Sequence, residues 1–517
     1  MPVNSIGREI PAEVSGIGKL EPFKGEWTKI AGRVSEIRYN PPVKLLKPTK
    51  DKIVPTLKDL IRKIGMEDGM VISFHHHLRD GDYVLCNVLD ELSDMGLKDF
   101  HLFPSSLTNF HQDVLKHIRS GVVKQISTSG IRGELGTEIT KGILDIPVMV
   151  RSHGGRARAI ETGNPVIDVA FIAAPCADRL GNANGVNGPS ACGSLGYPMN
   201  DMQFARHVVV VTDNIVEYPV KPISIPQHYV DYVVPIDKIG NPSKIATGTT
   251  RITKNPLDLR IAQLAAKVVQ HSGYFVDNFS FQAGAGGASL AVAAFIRELM
   301  IQKKIKGSWG LGGITGYLVD MLNEGLFTTL FDTQGFDMAV VDSLRNNPNH
   351  IEVSANFYAN PYNKGCLVND LDIVILGALE FDVDFNINVL TGSSGAIRGA
   401  SGGHCDTAAG SKLTVVVAPS MRTRLPIVKK KVHTVVTPGE SVDVIVTERG
   451  VCINPRRKDL VENLKNKGLE IKNINELYEE VYKLTGIPDE VEKTEKIVGL
   501  VEYRDGTIID TIKQIKN

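Results

Sequence analysis

Glycine, arginine and histidine crowd into a few short stretches of this sequence. The densest is Thr391–Lys412, TGSSGAIRGASGGHCDTAAGSK, in which six glycines surround Arg398, His404 and Asp406. Such a run lets backbone amides approach a ligand closely, which suits an anion site or a slot for a long, thin cofactor. The GxxxxGK[ST] spacing of a P-loop is absent, and an unliganded loop is the competing reading. Gly402, Gly403, His404 and Arg398 are the candidates for the chemistry. Cys405 is set aside as a nucleophile, because adjacent Cys and His side chains do not converge. Two further clusters, Gln282–Ser289 with Gly284, Gly286 and Gly287, and Gly310–Gly316 with Gly312, Gly313 and Gly316, fall at strand-to-helix junctions, where helix N-termini offer free N–H groups. With Asp406 they are candidates for holding a cofactor arm; a near-match to GxGxxG is too weak to support nicotinamide binding. In HHHLRDGD, alternation along a strand puts His75 and His77 on one face. That pair, with Arg79, reads as a contact for a carboxylate substrate, as two of the ligands of a metal whose third ligand is not identifiable, or as purely structural. Arg151, His153 and Arg156, in RSHGGRAR, read as cations for a polyanionic substrate or as a solvated loop.

The elements that carry these stretches show a regular order. Short β-branched runs alternate with helical patterns, as in parallel sheets with crossover helices. Paired segments recur: DVAFIAAP from Asp168 answers to DIVILGAL from Asp372, and HVVVVT from His207 to LTVVVA from Leu413, 204 and 206 residues on. Val233-Val-Pro is matched to Val435-Val-Thr-Pro, and the strand at Met70 to that at Tyr274. Two homologous α/β domains, 56–255 and 256–455, follow. A proline-punctuated N-terminal arm, 1–55, precedes them, and a C-terminal cap, 456–517, of helices and a hairpin turning at Arg504-Asp505-Gly506 ends the chain. The glycine-rich run then falls at the second domain's equivalent of 193–200, facing the other domain.

Bulk properties exclude several classes. At 517 residues the chain needs two or three domains. Lys plus Arg and Asp plus Glu balance at 58 each, leaving no field to attract nucleic acid or an anionic membrane. Six scattered cysteines fit reduced thiols. A cytoplasmic location is expected, with no leader and no spanning segment.

The segment DVAFIAAPCADRLGN, from Asp168 to Asn182, resembles the coenzyme A transferase pattern of a strand ending in a polar "AD..GN" turn. Leu376–Asn386 is similar to the "LGA" segment of those enzymes' second half, and Gly402–Asp406 to their "GG..D" motif. Within that superfamily the arm, SFHHHLRDGD, GHCDTAAG and GVCINPR resemble the citrate lyase alpha subunit family, over essentially the whole chain. The resemblance implies two coenzyme A transferase-like α/β domains with mainly parallel open sheets. It also implies exchange of the acetyl group of an acetyl thioester for citrate, giving citryl thioester and acetate. The thioester would be carried on the coenzyme-A-like prosthetic group of an acyl carrier protein or on acetyl-CoA, with no permanently bound cofactor and no metal. Beta (lyase) and gamma (carrier) subunits would be partners, and a homo-oligomer is expected. Many coenzyme A transferases place a glutamate nucleophile in a "SENG"-like turn; the corresponding stretch here, Ser308–Gly316, has no carboxylate, which favours direct attack by citrate and passage through a mixed anhydride. A covalent transferase using Glu134, Glu138 or Glu380, and a non-catalytic carrier-binding scaffold, are the rival readings.

Overall fold

The computed structural model describes residues 1–26, 51–245, 252–284 and 286–516. Residues 27–50 of the expected arm, with Pro41, Pro42 and Pro48, lie outside the described residues. The first sheet takes seven strands in chain order: β1 Val71–Phe74, β2 Phe100–Pro104, β3 Val123–Thr128, β4 Val148–Arg151, β5 Val169–Ala173, β6 His207–Thr212 and β7 Tyr232–Pro235. The second takes β8 Phe279–Ala283, β9 Gly307–Ile314, β10 Phe327–Gly335, β11 His350–Glu352, β12 Ile373–Gly377, β13 Leu413–Val417 and β14 Val444–Thr447, then β15 Gly450–Ile453. In space the first seven run β7-β6-β5-β1-β2-β3-β4, and the second seven run β14-β13-β12-β8-β9-β10-β11. The order is the same in both, and each strand of the second set starts 202 to 212 residues after its counterpart. Ladders within each set of seven are parallel; the antiparallel pair β14–β15 closes the second sheet. These are the mainly parallel α/β sheets that the alternation implies.

The repeat extends to side chains. Asp168 accepts the Val71 N–H at 2.8 Å, and Asp372 accepts that of Ser280 at 2.8 Å. Asp178 Oδ1 accepts the N–H of Leu180 and Asn182, while Asp382 Oδ1 accepts those of Asp384 and Asn386. A carboxylate that gathers the donors of its own turn fixes a tight reversal after each strand. One pairing needs correction. The counterpart of Tyr232–Pro235 is Val444–Thr447, whereas Val435-Val436-Thr437 only bridges to Ile387; a pair of valines near a proline is too generic to fix register.

The C-terminal segment divides. Helices Lys458–Leu464 and Ile474–Thr485 pack on the second half, through Leu460 and Leu464 in one apolar cluster and Ile474, Leu477 and Val481 in another. The final hairpin, β16 Lys493–Glu502 and β17 Ile508–Ile515, turns where the sequence places it but extends the first sheet, with β16 parallel to β4. The start of the chain lies on this hairpin: Asn4 Nδ2 donates to the Ile509 carbonyl at 2.7 Å and the Phe23 N–H to that of Ile508 at 2.9 Å.

Candidate active site

The two halves exchange their polar turns. The glycine-rich run of the second half docks on the first: the Ile131 N–H donates to Gly399 O (3.1 Å), Ser401 N–H to Ser129 O (2.7 Å) and His153 N–H to Gly402 O (2.8 Å). The first half answers with Gly196 N–H to Thr333 O (3.3 Å) and accepts Ala355 N–H on Gly196 O (2.9 Å). Between these turns lies a cavity of about 1170 Å³. Its lining comes from the residues that end or follow β1, β2, β3 and β4 on one side and β8, β9, β10 and β12 on the other, the place where open parallel sheets present helix N-termini and loops to ligands.

Of the residues singled out by sequence, Arg79, His153, Gly284, Gly286, Gly312, Gly313, Arg398, Gly402, Gly403 and His404 line this cavity; His75, His77, Arg151, Arg156, Gly287, Gly316 and Asp406 do not. Each absence has a visible cause. Arg156 is buried and grips Asp201 with both nitrogens of its fork, at 3.0 and 2.7 Å, while Nη2 also donates to the Phe103 carbonyl. Arg151 and Arg158 share Glu502 from the C-terminal hairpin, at 3.0 and 2.5 Å. His77 donates from Nε2 to Thr333 O (3.1 Å), so its Nδ1 accepts from His75 Nδ1 at 2.8 Å, and the pair is spent on itself. Burial, then Arg156, pushes the His75 ring down to about 3. Gly287 opens the helix Gly287–Lys303, and the Gly316 N–H is taken by Asp337 at 2.6 Å. Asp406 accepts Ser152 Oγ–H (2.8 Å) and the Gly154 N–H (2.9 Å), capping the helix His153–Glu161 from the other half.

Inside the cavity the groups differ in availability. His404 donates from Nε2 to Gly377 O (2.9 Å) and accepts Thr437 Oγ1–H at Nδ1 (2.7 Å), so both ring nitrogens anchor the turn; burial pushes its pKa down to about 4. The amide N–H groups of Gly402 and Gly403 have no acceptor among the described residues. Gly402 has a φ of 53°, and a Cβ on Gly403 would come within 2.4 Å of Tyr358 Oη. Glycine at both positions of the lining leaves two amide donors without an acceptor among the described residues. Arg132 and Arg398 line the wall without a carboxylate partner among the described residues. Arg79, at φ 52°, lies 4.5 Å over the Phe336 ring, and burial with the neighbouring Arg132 charge lowers it to about 10. Gln282 Nε2 donates to Tyr358 Oη at 3.1 Å, beside Tyr197, which stacks on His76 at 4.9 Å.

Residues 50–515 match the family model for citrate lyase, alpha subunit (CitF). The citrate lyase alpha chain of Klebsiella pneumoniae is 51% identical over 466 residues, 90% of this chain and 92% of that one. The chain belongs to the citrate lyase alpha subunit family. The citrate lyase alpha chain of Haemophilus influenzae is 49% identical over 92% of this chain and 95% of its own. A solved Streptococcus mutans structure, assigned as the alpha subunit of citrate lyase and in complex with citrate, superposes with a TM-score of 0.95 at 49% identity, covering 99% of this chain and all of that one. The alpha subunit of an Acinetobacter baumannii malonate decarboxylase shares the fold at a TM-score of 0.62 and 14% identity, over 85% of this chain and 90% of that one.

For this citrate lyase alpha subunit family member, the end of β9 is informative. Gly312 and Gly313 line the cavity there, and a Cβ would meet Gln282 at 2.8 Å and the Phe336 ring at 2.1 Å respectively. No side chain longer than hydrogen fits without displacing the wall. Glu380 lies outside the lining, held by His433 and Asn388; Glu134 and Glu138 are on the wall, Glu138 beside Lys141 at 3.0 Å. The sequence reading missed His76, Arg132, Gln282, Tyr197 and Tyr358. For Arg132 a signal existed, since it follows a strand end as Arg79 and His153 do; the tyrosines carry none.

Proposed function

We propose that this chain exchanges the acetyl group of an acetyl thioester for citrate in the cavity between its halves, and that it does so without a covalent enzyme intermediate. The observation that carries this is the end of β9, where Gly312 and Gly313 leave neither a carboxylate nor room for one. A citrate carboxylate then has to meet the thioester carbonyl directly, so the protein's work is to hold two acyl groups together and stabilise the oxyanion. The bare amides of Gly402 and Gly403 supply donors for that oxyanion, while Arg132, Arg398 and Arg79 offer cations for citrate's remaining carboxylates. Gly284 and Gly286, which line the cavity without side chains, suit the thin arm of acetyl-CoA or of the coenzyme-A-like group on an acyl carrier subunit. On this reading the chain works in the cytoplasm within a citrate lyase complex, beside a lyase (beta) and a carrier (gamma) subunit, and as more than one copy. Among the described residues no helix is long and apolar enough to cross a membrane.

The test is to mix the purified chain with acetyl-CoA and citrate and follow citryl-CoA and acetate. A folded chain that makes neither would overturn the reading and leave the scaffold role. Glu134 and Glu138 line the wall, so borohydride treatment of the acetyl-CoA-loaded protein distinguishes the covalent route. Full activity after treatment is expected; loss of activity with one reduced glutamate would establish a glutamyl thioester.

A further inference from the structure

His76 alone of the three consecutive histidines lines the cavity. Its backbone N–H donates to Ser105 Oγ at 3.1 Å, and its Nδ1 lies 2.5 Å from the same oxygen. Ser105 is fully buried, and among the described residues its hydroxyl has no other acceptor. If Nδ1 carried the ring proton, the buried hydroxyl proton would be left unpaired; the hydroxyl therefore donates to Nδ1 and the ring proton sits on Nε2. Nε2 is at the opposite edge of the ring, and no described residue accepts from it. Tyr197 and His153 stack on the ring at 4.9 and 5.8 Å and hold its plane.

The exchange reaction gives such a group a task. A citrate carboxylate oxygen adds to the thioester carbon, a C–O bond forms, and the carbonyl electron pair moves onto oxygen. Collapse breaks the C–S bond and releases thiolate, which then adds to the citryl carbonyl of the mixed anhydride and expels acetate. Neither step takes up or releases a net proton, so the site calls for a fixed donor and not for an acid or base. We propose that His76 is a catalytic residue whose neutral Nε2–H donates to the thioester carbonyl oxygen as it becomes an oxyanion, with Ser105 as the positioning residue that keeps the proton on Nε2. Burial, and after it the nearby His153, holds the His76 ring well below its ordinary value and so neutral.

The inference rests on the transferase reading, and the experiment separates the two. Steady-state exchange between acetyl-CoA and citrate is measured for the full chain and for H76L, H76Q and S105A, each checked by thermal unfolding. H76L is expected to lower kcat by roughly 100- to 1,000-fold with both KM values within about threefold of wild type. H76Q, whose amide N–H reaches the place of Nε2, is expected to recover about tenfold of that loss, and S105A to lower kcat by about tenfold with KM unchanged. A kcat for H76L within threefold of wild type, or a raised KM with unchanged kcat, would overturn the role of His76 while leaving the transferase intact. A wild-type chain without turnover overturns the transferase reading itself. Should H76L fail to fold, S105A decides: wild-type kcat in that variant overturns the proposal.

Discussion

At Gly403 a single added methyl group would sit 2.4 Å from Tyr358 Oη, which already accepts from Gln282. G403A must therefore push the tyrosine or tilt the amide, and overpacking of this kind costs about 1–3 kcal/mol where the neighbours are fixed. The expected outcome is a kcat lowered by roughly 10- to 100-fold with a folded, cooperatively melting protein; an unchanged kcat would show that the amide pair stands away from the reacting carbon. Arg156 makes the opposite case. Its fork is closed on Asp201 in the interior, and removing one partner of a buried pair costs about 3–5 kcal/mol. R156A should lower the unfolding free energy from denaturant titration by that much, and a stable R156A with only citrate KM raised would contradict the assignment. These two residues mark how far side-chain chemistry is readable from sequence. Glycine runs point to bare backbone because glycine offers nothing else. A buried arginine and a substrate-binding arginine are spelled alike, and Asp201 stands 45 residues from its partner. The alternation that favoured His75 and His77 over His76 fails for a related reason: the strand ends at Phe74, and beyond it the two-residue period no longer governs which face a side chain takes.

Among the elements, the helix His153–Glu161 has its first turn satisfied from both halves, by Ser152 within its own chain segment and by Asp406 across the interface. The repeat supplies an internal control, since Asn200 Oδ1 accepts the Asn356 N–H at 2.9 Å at the matching place. An uncharged amide therefore suffices to cap the corresponding helix. Burial raises Asp406 to about 6 from an ordinary value of 3.8, against the lowering effect of Arg504. Its folded-state pKa is above the unfolded one, so the stability it contributes is complete below the unfolded value and is lost as pH rises through about 6. The difference in Tm between D406N and wild type should accordingly be more positive at pH 7 than at pH 4.5; a difference independent of pH would show that Asp406 is as ionisable in the fold as in water. The repeat was legible because the runs from Asp168 and Asp372 and from His207 and Leu413 recur in the same chain order, whereas the order of strands in space was not written in them. The reciprocal docking was visible only as an equivalence of position, since which carbonyl meets which amide depends on how the two sheets face each other.

For the molecule as a whole, the C-terminal hairpin is part of the first half's architecture. β16 pairs with β4, Glu502 neutralises Arg151 and Arg158, and Arg504 reaches both Asp406 and the Ala359 carbonyl. A chain ending at Pro488 should lose more than a surface element: it strands two buried guanidinium groups and exposes a parallel edge. Loss of cooperative melting, and proteolysis within 56–245, are the expected results; a truncated chain that melts like the full one would refute the dependence. The same arrangement sets a condition on biosynthesis. Ribosomes release the chain from residue 1 onward, yet the partner of Val148–Arg151 lies more than three hundred residues downstream, and residues 4–23 rest on that same late segment. Until residues 493–515 have been made, the first half has an open flank at Val148–Arg151, and Arg151 and Arg158 lack the carboxylate of Glu502. The nascent first half therefore waits on a strand pair made more than three hundred residues later before its own sheet edge is covered.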